Sequence, residues 1–151
     1  MAAKYTAMQI AEWFLARNHM AIAEMDGELI SNMKLQKLLY YAQGTYLAIV
    51  GTALFDDPIV AWKHGPVVET VYHEYKAYGS SGIEYDGCDL PEFDDNAVSI
   101  LEQVYDVFGQ YSAWKLREMT HNEDPWNITE QGEIIDLSII KDFFIRNYIV
   151  E

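Results

Sequence analysis

The sequence predicts a mostly all-α fold, a compact helical domain of about six helices with one small two-stranded β element. Apolar residues recur at helical spacing through most of the chain, which is the main evidence for this class. A short apolar run from Ile59 to Trp62 has instead the pattern of an extended segment. The chain has 151 residues, 50% of them hydrophobic, which is enough for one sizeable core and too little for two. We therefore expect residues 1–151 to form a single domain.

The first helix is predicted to begin after an N-cap at Thr6 and to run to about Arg17. Its apolar side chains share one face: Ile10, Trp13 and Phe14. The stretch that follows, residues 20–30, is ambiguous, although Asp26-Gly27 is typical of a turn.

The second helix is predicted to begin after a cap at Ser31 or Asn32 and to end at Gly51. Its apolar residues fall at offsets 0, 3, 4, 7, 11 and 14, the spacing of an amphipathic helix: Leu35, Leu38, Leu39, Ala42, Tyr46 and Ile49. Burying such side chains contributes roughly 1.5–3 kcal/mol each before entropy is counted. We therefore expect this helix to be central to the core.

Polar residues occupy the remaining positions of the second helix: Lys34, Gln36, Lys37, Tyr40, Tyr41 and Gln43. They indicate either a contact surface or a core helix whose lysine ammonium groups reach solvent.

The segment Trp62-Lys63-His64-Gly65-Pro66-Val67 combines a strand end, a sharp turn and a helix start. Gly65 permits a positive φ, which most residues avoid. Pro66 suits the first turn of a helix, where its missing N–H has no cost. The third helix is accordingly predicted over residues 67–77, ending near Gly79.

Three more helices are predicted after a long loop. The loop, residues 79–93, is rich in Gly, Ser, Asp and Pro and is a candidate for mobility or contact. Asp94 or Asp95 caps the fourth helix, whose inward residues are Val98, Leu101, Tyr105 and Phe108. Ser112 caps a short fifth helix to about Met119, residues 120–126 are turn-like, and Ser138 caps the last helix. The apolar face of that last helix is Ile140, Phe143 and Phe144.

The formal net charge is −14, and residues 77–114 contain neither Lys nor Arg. Such a surface repels phosphate backbones, so we expect no direct nucleic-acid binding. It would attract a basic partner, although an acidic face can also serve solubility alone. The single cysteine, Cys88, allows no intramolecular disulfide, and no segment resembles a membrane span or a secretory leader. These features favour a cytoplasmic protein with no membrane association.

Two of the four histidines, His64 and His121, lie in turns beside tryptophans and are the candidates for chemistry. No HExxH run, helically spaced His pair or Cys cluster supports a metal site, and no phosphate-binding glycine loop or nucleophile elbow is present. An acid/base set made of both imidazoles and Glu123 is conceivable. The preferred alternative is that both imidazoles bond to backbone and hold two turns. We therefore expect no cofactor and no enzymatic activity.

Three motifs resemble those of the Panacea domain, the SocA-like family whose members are often labelled phage-associated proteins. They are Lys34 to Gln43, Ala61 to Val68 with Val71-Tyr72, and Thr120-His121 with Pro125-Trp126. They occur in the family's order and together span most of the chain. Val60 and Glu69 depart from the family pattern, in which an acidic or amide residue and a proline are common at those positions.

The resemblance implies an antitoxin that neutralises a cognate protein toxin by direct contact. Three alternatives stay open: an adaptor that delivers the toxin to a cytoplasmic protease, a phage-associated protein without a toxin, and a small enzyme using His64 and His121. A homo-oligomer is also left open. The candidate binding cluster comprises Lys37, Tyr40, Tyr41, Gln43, Trp62, His64, Gly65, Pro66, His121, Pro125 and Trp126.

Overall fold

A central helix organises the fold. The computed structural model describes residues 2–24, 28–85, 87 and 90–149, with the side chains of residues 23 and 24 excluded. The elements are α1 (Ala7–Glu24), α2 (Asn32–Val50), β1 (Val60–Trp62), β2 (Gly65–Val67), α3 (Glu69–Tyr75), a 3₁₀ turn (Lys76–Tyr78), α4 (Asp95–Phe108), α5 (Ala113–His121), α6 (Asp124–Asn127) and α7 (Leu137–Asn147). The predicted mostly all-α class is confirmed, with seven α-helices and one two-stranded sheet in these described residues.

Helix α2 has the predicted ends. The Ser31 hydroxyl accepts a hydrogen bond from the Lys34 N–H at 3.2 Å, and Gly51 stops the helix with a φ of 95°. Between them, every residue from 35 to 47 is buried, because α1, α3, α4, α5, α7 and β2 all pack around this helix. The amphipathic prediction is therefore wrong in one respect: α2 is enclosed on all sides between residues 35 and 47, and it is open only at its two ends, where Met33 is partly exposed and Ile49 is 49% exposed.

Helix α1 is longer than predicted. A reciprocal capping box starts it: the Thr6 hydroxyl accepts from the Gln9 N–H, and the Gln9 side-chain oxygen accepts from the Thr6 N–H. It continues past Arg17 to Glu24, since no Gly or Pro interrupts it and the Arg17 guanidinium pairs with Glu102 of α4 at 3.0 Å. The turn predicted at Asp26-Gly27 lies outside the described residues, as does Cys88 in the 79–93 loop.

The two-stranded element is an antiparallel hairpin in which Val60 pairs with Val67 and Trp62 with Gly65. Pro66 therefore lies in β2 and not at a helix start, and α3 begins only at Glu69, two residues after the predicted start. The reason is that the φ fixed by proline also suits an edge strand, where a missing N–H is tolerated. On its other side β1 bonds to residues 132–135, for example through the Ala61 N–H to the Glu133 carbonyl at 3.0 Å.

The N-caps of α4 and α5 are predicted residues, whereas the N-cap of α7 is not. Asp94 and Ser112 cap α4 and α5 as predicted, whereas Asp136 and not Ser138 caps α7, because its carboxylate accepts the Ser138 N–H at 2.8 Å. On α4, Leu101 and Phe108 are buried, but Val98 faces solvent at 38% exposure. Helix α7 crosses α2 closely, since an atom in the Cβ position of Gly44 would lie 2.3 Å from the Phe144 ring. No helix in the described ranges is long and apolar enough to cross a membrane.

Candidate functional site

A buried carboxylate lies at the centre of the fold, where α2, the α5–α6 junction and the end of α7 meet. Glu123 is 5% exposed and accepts hydrogen bonds from three tyrosine hydroxyls. Tyr40 reaches its Oε1 at 2.9 Å, Tyr41 reaches its Oε2 at 2.9 Å, and Tyr148 also donates to Oε2. We refer to these four residues as the Glu123 cluster. It ties the central helix to the chain segments that close over it.

The Glu123 cluster contains acidic groups and no cation among its hydrogen-bonded members. Burial raises the pKa of Glu123, and the tyrosine hydroxyls oppose that rise by bonding to the carboxylate. Burial and the nearby Glu123 carboxylate together raise the pKa values of Tyr40, Tyr41 and Tyr148, which keeps all three hydroxyls protonated as donors. The aromatic rings are fixed as well, since Tyr41 stacks on Phe108 at a centroid distance of 3.9 Å. This geometry is that of a structural polar centre.

Lys37, one helical turn before Tyr41, is also buried, with 1% of its surface exposed. Its Nζ contacts the Pro66 carbonyl at 3.4 Å, a long hydrogen bond for an ammonium group. Burial, followed by the positive charge of Arg117, lowers the pKa of Lys37 to about 7. The Lys37 side chain lies beneath the hairpin turn, in contact with Gly65 and Pro66, so the position of each depends on the other.

Gly65 is the residue that makes room for Lys37. Its φ is 116°, and an atom in its Cβ position would lie 2.6 Å from Lys37 Cε and 2.9 Å from Thr120 Oγ1. Glycine is therefore required here both for backbone conformation and for space.

We expect Gly65→Ala to lower the free energy of unfolding by roughly 2–3 kcal/mol, since backbone strain and a steric clash act together. Urea denaturation followed by circular dichroism measures this. Gly51→Ala is the matched control, because Gly51 also has a positive φ but has no atom within 4 Å of its Cβ position. Equal losses in the two variants would show that the contact with Lys37 has no energetic weight.

Other polar side chains of α2 bond to backbone and shape its surroundings. Gln36 accepts from the Val68 N–H at 2.9 Å and donates to Asn32, which in turn donates to the Tyr72 carbonyl. Gln43 donates to the Phe55 carbonyl at 2.8 Å and accepts from the Leu54 N–H at 2.7 Å. Gln43 therefore holds the loop between α2 and β1, away from the hairpin.

The hairpin turn and the α5–α6 junction are joined by aromatic and histidine side chains. Trp126 stacks on His121 with a centroid distance of 3.9 Å, and its indole N–H donates to the Trp62 carbonyl at 2.8 Å. His64 is exposed, and its Nδ1 accepts from the Arg117 side chain at 3.0 Å. Burial and then the charge of Arg117 lower the pKa values of both imidazoles, which favours their neutral forms.

The acid/base set that the sequence offered, His64 and His121 with Glu123, is not joined by hydrogen bonds in the described residues. Across the described ranges, neither imidazole is hydrogen-bonded to an Asp or Glu, and Glu123 points instead into its tyrosine cluster. The prediction that His64 bonds to backbone is wrong, because its partner is the Arg117 side chain. No group of three His, Cys, Asp or Glu residues in the described part of the chain could hold a metal ion.

Above Lys37 the surface opens into a groove with a volume of about 410 Å³. Residues from α2, the hairpin, α3, the 3₁₀ turn and the start of α5 line it: Ser31, Asn32, Met33, Gln36, Lys37, Trp62, His64, Val67, Tyr72, Lys76, Gly79, Ser80 and Ala113. We refer to this feature as the Lys37 groove. The Trp62 ring packs edge-on against Tyr72 at 4.8 Å, which gives the groove an aromatic wall.

The predicted cluster of eleven residues thus occupies three places. Lys37, Trp62 and His64 line the groove, while Gly65, Pro66, His121, Pro125 and Trp126 support it from the hairpin and the α5–α6 junction. Tyr40 and Tyr41 belong to the Glu123 cluster, and Gln43 lies apart from both. The predicted cluster omitted Gln36, although it lies in the first motif, and sequence reasoning did not consider Tyr148 or Arg117 as members of these networks; it considered Glu123 only as a catalytic partner. Adjacent buried tyrosines do require acceptors, and that requirement was the available indication for Glu123.

Residues 35–127 match the family described as "Antitoxin SocA-like, Panacea domain". The chain belongs to this family. The matched residues include Lys37, Trp62 and Glu123, and so cover most of the groove lining and of the Glu123 cluster; Ser31, Asn32, Met33 and Tyr148 lie outside them.

One curated Panacea relative is "Antitoxin SocA" from Caulobacter vibrioides (strain NA1000 / CB15N), 33% identical over 122 residues. The alignment covers 73% of this chain and 65% of that relative, so the chain spans about two thirds of the curated relative's length. No solved structure matches this Panacea chain.

Proposed function

We propose that this protein is a cytoplasmic antitoxin that neutralises a cognate protein toxin by direct binding. The supporting observation is the arrangement of the Panacea motifs. Inside the fold, the polar side chains of these motifs form hydrogen bonds that fix α2, the hairpin and the α5–α6 junction relative to one another. At the surface, residues of the motifs contribute to one preformed groove. A preorganised groove lined mainly by apolar and aromatic atoms is typical of a binding site. Family membership and the name of the curated relative support the same conclusion.

The charge of the protein is compatible with this function. With a net charge of −14, the antitoxin would attract a basic toxin over a long range and speed their encounter. Toxins that act on nucleic acids or ribosomes often carry such positive charge, because their targets are polyanions.

Co-expression with the product of the neighbouring gene tests the proposal. We expect that product alone to arrest growth, and the two proteins together to restore growth and to purify as one complex. A harmless neighbour, or one that remains toxic in the presence of this protein, would contradict the antitoxin role. The half-life of the toxin is measured in the same cells. Neutralisation by binding leaves it unchanged, whereas delivery to a protease shortens it.

A further inference from the structure

The Lys37 groove has a buried cation at its floor with unused hydrogen-bonding capacity. An ammonium group has three N–H donors. Within the described part of the chain, the Nζ of Lys37 makes a single hydrogen bond, the 3.4 Å contact with the Pro66 carbonyl. The side chain is 99% buried by accessible area and still forms part of the groove wall. A buried charge in this state gains free energy when an anion reaches it.

The groove also differs in charge from the rest of this acidic protein. Its described lining contains two lysines, Lys37 and Lys76, and no Asp or Glu, and the lowered pKa of its imidazole, His64, favours the neutral form. Arg117 adds a further positive charge, since it bonds to His64. Four other surface concavities each include at least one carboxylate, such as Glu74, Glu28, Glu102 or Asp94. The groove is therefore a local positive site on a chain with a net charge of −14.

The walls of the groove are largely apolar and could therefore pack against the apolar neighbours of a charged side chain that enters it. The apolar surface of the lining comes from Trp62, Val67, Tyr72, Met33 and Ala113, and the rings of Trp62 and Tyr72 are in contact. The polar atoms of Gln36 and Asn32 are already bonded to each other and to backbone. Each of these two amide groups uses one of its two N–H donors in these bonds, whereas Lys37 is the buried charged donor of the described lining and has two N–H groups without a hydrogen bond.

We propose that the Lys37 groove receives an acidic side chain of the partner toxin, whose carboxylate pairs with the Lys37 ammonium while adjacent apolar residues of the toxin pack against Trp62 and Tyr72. This inference rests on the proposed function, and it specifies the contact that anchors the toxin in the groove. The acidic surface of the antitoxin attracts a basic partner over a long range, and the groove then selects one carboxylate at short range. A charge-assisted hydrogen bond formed in a desolvated site gives specificity, because other side chains leave the ammonium group unpaired.

The test uses the purified product of the neighbouring gene, with dissociation constants measured by isothermal titration calorimetry. We expect Lys37→Met, which keeps the length of the side chain and removes its charge, to weaken the complex about 30-fold or more. Lys141→Met is the matched control, because Lys141 is a half-buried lysine on α7 and lies away from the groove. The dissociation constant of this variant for the toxin should stay within threefold of that of the unmodified protein. Circular dichroism and thermal unfolding verify that both variants are folded.

A double-mutant cycle identifies the anchor on the toxin. Each Asp and Glu of the toxin is changed to Asn or Gln, and one of these changes should weaken binding as much as Lys37→Met does. Combined with Lys37→Met, that change should cause little further loss, since the two groups act as one pair.

The outcomes separate the two proposals. A complex that forms equally well with Lys37→Met, or a Lys37 effect that couples to no acidic residue of the toxin, overturns the groove assignment and leaves the antitoxin role intact. Absence of any complex and of any protection from toxicity overturns both.

Discussion

Glu123→Ala is expected to lower the free energy of unfolding by about 3–5 kcal/mol, because it removes the shared acceptor of three tyrosine hydroxyls. Tyr40 and Tyr41 are fully buried, so their hydroxyls cannot turn to solvent once the carboxylate is gone. Tyr148 is only partly buried and can find water, so it contributes less to the loss. Urea denaturation followed by circular dichroism measures the change, and a loss of this size is a large fraction of the stability of a typical domain.

Two further variants isolate the cause. Glu130→Ala removes an exposed carboxylate from the following segment and should change stability by less than about 0.5 kcal/mol. Glu123→Gln keeps one side-chain acceptor and should cost clearly less than Glu123→Ala. If Glu123→Ala and Glu130→Ala were equally stable, the Glu123 cluster would not hold the fold together.

Lys37→Met is expected to stabilise the protein by roughly 3–5 kcal/mol at pH 6, since it replaces a costly buried cation with an apolar side chain of similar length. The pKa of Lys37 is lowered from 10.5 in the unfolded chain to about 7 in the folded one. Between these values the unfolded chain binds a proton that the folded protein does not, so the stability of the unmodified protein rises with pH. The cost is fully present below pH 7 and is gone above pH 10.5.

The measurement is the free energy of unfolding from urea titrations at several pH values between 6 and 10. The stabilising effect of Lys37→Met should shrink steadily as the pH rises, whereas Lys141→Met should show no such trend. A constant difference across this range would mean that Lys37 is charged in the folded protein at every pH tested. The same substitution is expected to weaken toxin binding, so stability and binding should change in opposite directions.

The features of the fold that could be predicted are those set by residues close together in the sequence, such as the ends of helices. Ser31, Gly51, Asp94 and Ser112 end helices through contacts with their own neighbours; Gly51 and Ser112 were assigned directly, and Ser31 and Asp94 each as one of two adjacent candidates. Pro66 was misassigned, because its backbone preference is shared by a helix start and an edge strand. The choice depends on the pairing of β1 with β2 and on the bond from the Val68 N–H to Gln36, both of which are tertiary contacts.

The sequence singled out several of the side chains that these networks use, but it did not predict how they are arranged. Helical periodicity places Lys37, Tyr40 and Tyr41 off the apolar face and so suggests an outward surface. In the folded protein all three are buried. Tyr40 and Tyr41 tolerate burial because Glu123, 83 residues beyond Tyr40 along the chain, supplies their acceptor, whereas Lys37 contacts the Pro66 carbonyl. No local pattern reports such a distant partner, and Tyr148 lies outside the three motifs altogether.

The enclosure of α2 separates the residues that specify the fold from those that can specify a partner. Substitutions between residues 35 and 47 must preserve packing on every side of the helix. Met33, Tyr72, Ser80 and Ala113 are at least partly exposed, so their side chains can change with little cost to the core. Substitutions at the rim of the groove can therefore change the chemistry of that surface while the interior of the fold and Lys37 stay the same.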